Sequence, residues 1–574
     1  VRAMPYGKRF RSRGSLGLSL AAWLFSPLAV SAANAQALGP TFENRPIEVV
    51  RLALSGAVPS GPQRVAFEDR VRRALNVYPG SQLHDLMVDF GLGKVKRIPG
   101  VASASVNYVD GNTGGVAVEV SVVVGDRPQA DPGRVDFPYL LQGDDSLLKL
   151  KLTAATLGYA NHDAWYGRPQ AFVGANPLAK GPAGAGWSSF GEAALEGGLQ
   201  GIGPIGNNVY AYGSLSYLAS GSVGTDLFVT GPRRHGAIED AYAGIVTGIT
   251  GDDGSRLVIN LSGGRQPFQI ADGMLIRITA ANGFDRAALQ LNPRWAADSL
   301  FLAQARYNTT KFEAFRLAPD ELAAIDTHTV IAGANLETGL GTPHQLGLTY
   351  LTVPRSDYGW YTTTAQGTRQ GLQVADVRYY WTPAIGASGP YAKTELALQW
   401  NDRNAFPMRA WGGYVEAGYT FNEALWRPTL SYRLSGFSGD NPATRTYERW
   451  DPLLSGGTGE EWVQGLNHYK LFQDTNLIAH RLQAILRPAP QWELVPQAWL
   501  FQAQQLNNIG GTTSTLAGHL LGYEVNLTVK YFMSRNVMFQ SGLALTVPLS
   551  GVSQAVAGTT RPWFSAMSLA RISF

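Results

Sequence analysis

The sequence predicts a mainly β chain. We expect a transmembrane antiparallel β-barrel of about 16–18 strands, preceded by a small periplasmic α+β domain. Three observations carry this. First, strand-length runs of period-two alternation recur from about position 146 onward. In one of them, Tyr523, Val525, Leu527, Val529 and Tyr531 are apolar, while Glu524, Asn526, Thr528 and Lys530 are polar. A strand presents two faces at this period, so one face meets oil and the other water. Second, the first 35 residues read as an export signal. Third, the chain holds 14 Trp, 24 Tyr, 23 Phe and 66 Gly, with no apolar run of 18 residues. A membrane crossing by this chain is therefore made by strands rather than helices.

The elements follow in order. Arg2, Lys8, Arg9, Arg11 and Arg13 form a basic leader, Leu16 to Val30 is apolar, and Ala33-Asn34-Ala35 is a small-x-small cleavage site. Residues 1–35 thus read as a signal peptide. The chain has 47 Lys+Arg against 43 Asp+Glu, but five of the cations and none of the acids precede position 36. The remainder is close to neutral and gives no basic surface for nucleic acid. With no cysteine, disulfides, thiol catalysis and cysteine metal sites are excluded.

Residues 45–126 read as a separate β-α-α-β-β unit. Val50, Leu52 and Leu54 alternate. Phe67, Val71 and Leu75 make one helix face, and Leu83, Leu86, Met87 and Phe90 a second. Val101–Val109 and Val116–Val124 are strands, with Asp110-Gly111-Asn112 as their turn. This order, with "NVYPGSQL" after the first helix and "VKRIPGVASASV" entering the second strand, resembles a POTRA domain. That resemblance implies a periplasmic module ahead of a barrel. It also implies a periplasmic protein partner, taken up on an edge strand, for which Val116–Val124 is the candidate. Residues 127–145 carry Pro128, Pro132, Gly133, Pro138 and Gly143 and read as a linker.

The barrel is expected over 146–574, where roughly 24 residues per strand and connection give its strand number. Segments at 181–206 and 505–520 are glycine-rich and ambiguous between strand and loop. A barrel of this width is expected to hold an aqueous lumen. The inner row would include Glu524, Asn526, Thr528 and Lys530. There are 37 Arg against 10 Lys. Arg378 and Arg433 fall on polar phases of strands, where they either point into a pore or pair with neighbours such as Glu416 and stiffen the wall.

Residues 261–275, "LSGGRQPFQIADGML", and 431–454, "SYRLSGFSGDNP" followed by "ERWDPLL", resemble two segments of the alginate-export family of outer-membrane barrels. Trp450 stands where that family usually has Phe. Phe574 also resembles the terminal aromatic by which such barrels are recognised for assembly. The resemblance implies a wide pore passing a polyanionic polysaccharide along arginines. It places Arg265 in the pore wall with Gln266 on the opposite face, and it matches Arg433, Asp440 and Asp451 to motif positions. Asp440 and Asp451 would order the long loop. Glu448, Glu460 and Glu461 give that loop oxygen ligands, but the spacing is no EF-hand and no metal is expected.

No enzyme is expected. Gly201, Gly203 and Gly206 spell a dinucleotide fingerprint, but the alternating run after them is a strand, so they read as a glycine-rich turn. H-E-x-x-H and G-x-S-x-G are both absent. No cofactor is called for. Three functions are open: an export channel for an anionic or neutral exopolysaccharide, a passive porin for small acidic solutes, and a POTRA–barrel protein translocator or assembly factor. The last class carries a V-R-G-[FY] element that this barrel lacks.

Overall fold

The computed structural model describes residue 42 and residues 45–574, apart from 112–114, 127–136, 174–179, 182, 252–254, 362–365, 384–386, 457–464, 507–515 and 557. The expected signal peptide lies outside the described residues. So do parts of the hairpin turn and linker, and Glu460 and Glu461.

The N-terminal domain contains β1 (Ile47–Gly56), α1 (Gly61–Leu75), α2 (Asp85–Val95), β2 (Val101–Asp110) and β3 (Val116–Val124). The helical spacing of Phe67, Val71 and Leu75 puts all three in the core, beside Val88, Leu92 and Val95 of α2. Pro62 starts α1, and Asn76 ends it in the left-handed region. The sheet order is β1-β3-β2, with β1 parallel to β3 and β2 antiparallel to it. Val116–Val124 is therefore the central strand, and the edge role expected for it falls to β1 and β2. β3 pairs on both of its edges, and one face of it, Val116, Val118, Val120 and Val122, is buried against the helices while Ser121 and Val123 on the other face are exposed.

Beyond it, 18 antiparallel strands close a barrel, from Leu147–His162 to Trp563–Ser573, with the last strand paired to the first. Closure satisfies the backbone of every strand in the wall. The two rows of a strand settle which face is which. Tyr523 and Val525 are 41% and 53% exposed, whereas Glu524 is fully enclosed and Asn526 3% exposed. Apolar side chains point out and polar ones in, the reverse of a soluble sandwich. The segment 187–206 is one long strand that continues through Gly206, so the expected glycine-rich turn lies instead at Asn207 and Asn208. Gly198 is required inside that strand, since a Cβ there would stand 2.3 Å from the Leu215 carbonyl oxygen.

The lumen is filled. Two long connections, 266–298 and the described residues of 438–476, leave the strands at the end remote from the N-terminal domain and fold into the lumen, and the first reaches that domain at Gln269. They join through a parallel bridge between Ile276 and Leu454, and the Arg277 N–H donates to the Leu454 carbonyl at 2.9 Å. Phe268, Leu275, Phe284, Leu453 and Phe472 share one buried cluster with wall residues such as Trp499 and Phe501. The open aqueous lumen expected from strand number alone is thus replaced, in the remote half, by a packed core. The N-terminal domain covers the other mouth, where its residues meet the turn-side ends of the strands.

Candidate functional site: the barrel lumen

The inward rows of successive strands build a belt of paired charge. Alternation places inward residues of neighbouring strands side by side, so their registers decide which charges meet. Glu416 lies opposite Arg433, and Arg433 opposite Arg481. Glu416 takes both guanidinium groups, at 2.6 and 2.9 Å, and the Tyr391 hydroxyl at 2.8 Å. Arg378 bonds Asp376, the Thr349 hydroxyl at 2.7 Å and the Asn335 side-chain oxygen at 2.6 Å. Lys311 joins Glu337 at 2.8 Å and Glu313 at 3.1 Å. Lys151 joins Glu196 at 2.6 Å and Asp240 at 2.5 Å. Lys530 stands 3.3 Å from Glu493, which also takes Arg487 at 3.0 Å. Arg378, Glu416, Arg433 and Lys530 therefore face inward and are buried, each held by a charge of opposite sign. Removing one member of such a pair leaves the other buried and uncompensated, at a cost of about 3–5 kcal/mol.

Arg265 is placed differently. It shares the outward row with Ile259 and Leu261, while Ser262 and Gln266 form the inward row and bond each other at 3.1 Å. Arg265 donates to Asp298 at 2.9 Å and Asp320 at 2.7 Å, and Asp320 also takes Arg286 at 2.9 Å. It braces the root of the 266–298 segment instead of lining the lumen. Gly263 and Gly264 precede it and have no side chains to mark the phase of the strand, which is why the motif alone misplaces it.

Wall carboxylates also hold the inserted segments. Glu192 accepts the Gln290 and Leu291 N–H groups at 2.9 and 2.7 Å. Glu239 accepts those of Trp295 and Ala296 at 2.6 and 2.9 Å. Glu524 accepts those of Asn467 and His468 at 3.1 and 3.0 Å, and that of Leu466. From within the second inserted segment itself, Asp451 takes Arg369 through two bonds of 2.7 Å and the Trp360 indole N–H at 3.0 Å. Asp440 accepts the Glu448 N–H at 3.0 Å and orders the turn before it. Of these anchors, Glu192 and Glu239 are absent from the sequence expectations. Their only signal is a carboxylate in the inward phase of a strand.

A family model described as alginate export matches residues 229–548. The chain belongs to the alginate export family. The family match runs from the segment before the strand Arg233–Thr250 through the strand Val537–Pro548. It includes both inserted segments and most of the charge belt, and it leaves out the N-terminal domain. No curated protein matches the chain. Among solved structures, the outer membrane protein opdK of Pseudomonas aeruginosa is similar at 12% identity, over 74% of this chain and 99% of its own, with a TM-score of 0.45. OccK5 of the same organism is similar at 10% identity, over 74% and 98%, with a TM-score of 0.41. OccK2, solved with glucuronate, is similar at 12% identity, over 74% and 98%, with a TM-score of 0.41. Within the alginate export family chain, the two segments that first suggested the family are the entrance to the first inserted segment and the strand and loop of the second. Among the described residues, no cluster of His, Asp and Glu is arranged to hold a metal.

Proposed function

We infer that this protein is an outer-membrane channel that exports a polysaccharide, entered from the side covered by the N-terminal domain. Family membership supports the cargo class. The observation that carries the channel reading is the inversion of the wall: apolar side chains outside, and an inward belt of Lys, Arg, Asp and Glu running across many strands. The N-terminal domain, read as a POTRA-like module in the periplasm, then stands at the entrance.

The belt also bears on cargo charge. An anionic polymer drawn along arginines calls for cations without wall partners. Arg378, Arg433, Arg481, Lys311 and Lys151 each sit against a carboxylate. Such a wall offers alternating charges and hydrogen-bonding groups, which suits a hydroxyl-rich polymer of low charge density better than a polyanion. The test has two readings. Deleting the gene should leave polymer in the periplasm, and the reconstituted barrel should show a reversal potential near zero under a low-salt gradient, where lumen charge acts at full reach. Strong anion selectivity would contradict the low-charge cargo. Loss of one secreted or outer-membrane protein, with polymer export intact, would favour a translocator instead.

A further inference from the structure

The contact between the N-terminal domain and the barrel is uneven around the mouth. On one arc it is tight. Asp89 of α2 is 2% exposed and sits between the Lys149 ammonium and the Arg535 guanidinium, each at 2.7 Å. Lys149 lies in the first barrel strand and Arg535 in the turn before the last two, so Asp89 spans the closing seam. Burial alone would raise the Asp89 carboxyl, but the two cations outweigh it and hold it below the usual carboxylate range. Arg535 also lies over the Tyr108 ring at 5.5 Å, and Phe42 packs on Phe532 with ring centroids 5.5 Å apart. The chain enters the barrel on this same arc, through the short strand Tyr139–Gln142 paired to the first strand.

To either side of this arc, Phe90 and Lys94 meet Tyr210, and the Arg487 guanidinium donates to the Gly111 carbonyl at 2.9 Å; farther round the rim, at Arg306, the contact narrows to one loop, Tyr78 to Gln82. Arg306 donates to the Pro79 carbonyl at 2.8 Å and the Ser81 hydroxyl at 2.5 Å. Tyr78 lies under Arg256 and Arg306, at 5.5 and 5.2 Å. The Gln82 amide donates to the Gln269 carbonyl at 2.7 Å and so touches the first inserted segment. Gly80 has φ +77°, and a Cβ there would overlap Leu340, so this loop is shaped to its seat. Beside it the domain does not pack against the wall. A space of about 150 Å³ separates Glu48 and Arg51 from Lys311, Arg378 and Lys393. Another of about 260 Å³ separates His84 and Met87 from Lys151, Asn260 and Gln304. A permanent core leaves no such gaps, whereas polar contacts between domains allow relative motion.

We propose that the N-terminal domain is a hinged lid, clamped at the seam through Asp89 and latched by the Tyr78–Gln82 loop on Arg306 and Gln269. Releasing the latch opens the mouth and frees the first inserted segment at Gln269. This rests on the channel reading and not on the identity of the cargo. The chain contains no cysteine, so a single engineered disulfide can be read cleanly. A Cβ at Gly341 would stand 3.0 Å from that of Pro79. The full chain carrying Pro79→Cys and Gly341→Cys should show a higher ion conductance in a planar bilayer after reduction than before it. Arg306→Ala, which needs no disulfide and serves if the double variant does not fold, should raise the fraction of time open about ten-fold. Equal conductance of the oxidised and reduced double variant, or an Arg306→Ala channel that matches wild type, overturns the lid. A chain that conducts in no form overturns the channel reading and the lid together.

Discussion

The two ends of the barrel are closed by different physics. At the remote end, segments of the chain itself are buried. Their backbone N–H groups are taken by Glu192, Glu239 and Glu524, and their side chains join an apolar core with the wall. A buried donor that loses its acceptor costs about 1–3 kcal/mol, so such anchors fix the segments in place. At the near end, a separate domain meets the rim through the seam clamp, an apolar contact of Leu86 with Leu147 and Ile202, the Arg487–Gly111 bond and one loop, with spaces between. The comparison teaches that closure by burial and closure by docking are distinguishable in one molecule. The first resists opening, and the second is open to regulation.

The largest expected effect is at the remote end. Asp451→Ala leaves Arg369 buried without its carboxylate, at about 3–5 kcal/mol. We expect a lower unfolding temperature in detergent and a noisier, larger conductance as the second inserted segment detaches. Unchanged conductance would show that this segment does not obstruct the lumen. A smaller effect is expected in the belt. Arg433→Leu leaves Glu416 with Arg481 and the Tyr391 hydroxyl, so the loss should be about 1–3 kcal/mol. Adding Glu416→Gln should lower stability further, because it leaves Arg481 buried without its carboxylate, as a double-mutant cycle on thermal stability would measure. Glu239→Gln keeps an oxygen acceptor for the Trp295 and Ala296 N–H groups but removes the charge 3.5 Å from buried Arg294, and should cost about 1–3 kcal/mol, seen as faster amide exchange at Trp295 and Ala296.

The smallest effect sharpens the near end. The Asp89 carboxyl is held below its usual value when the domain is docked. Its contribution is therefore fully present above the usual carboxylate value and is lost only as pH falls through the lower, docked value. Protease access to residues 45–126 should be flat from pH 8 to about 5 and should rise only in stronger acid. A rise near neutral pH would show that another group governs docking.

Much of this fold is legible in the sequence. Tyr523–Tyr531 shows two rows, and the polar one does face inward. Arg378, Glu416, Arg433 and Lys530 follow the same alternation. The unreadable parts have physical causes. Residues 266–298 carry no period of either kind, so nothing in their pattern shows that they turn into the lumen. Gly263 and Gly264 erase the phase ahead of Arg265. Val116–Val124 forms a hairpin with β2 that looks like a sheet edge until β1, more than fifty residues earlier, pairs on its other side. Ion pairing within the belt depends on register between strands, and a single strand does not contain it.

The central claim, fixed burial at one end and releasable docking at the other, is tested most directly by hydrogen–deuterium exchange on the full chain in a lipid nanodisc. Amides at 290–296 and 466–468 should be protected as strongly as the wall strands, while those at 78–82 and the facing turn at 306–308 should exchange at an intermediate, salt-sensitive rate. Rapid exchange at 290–296 and 466–468, with 78–82 fully protected, would contradict the account.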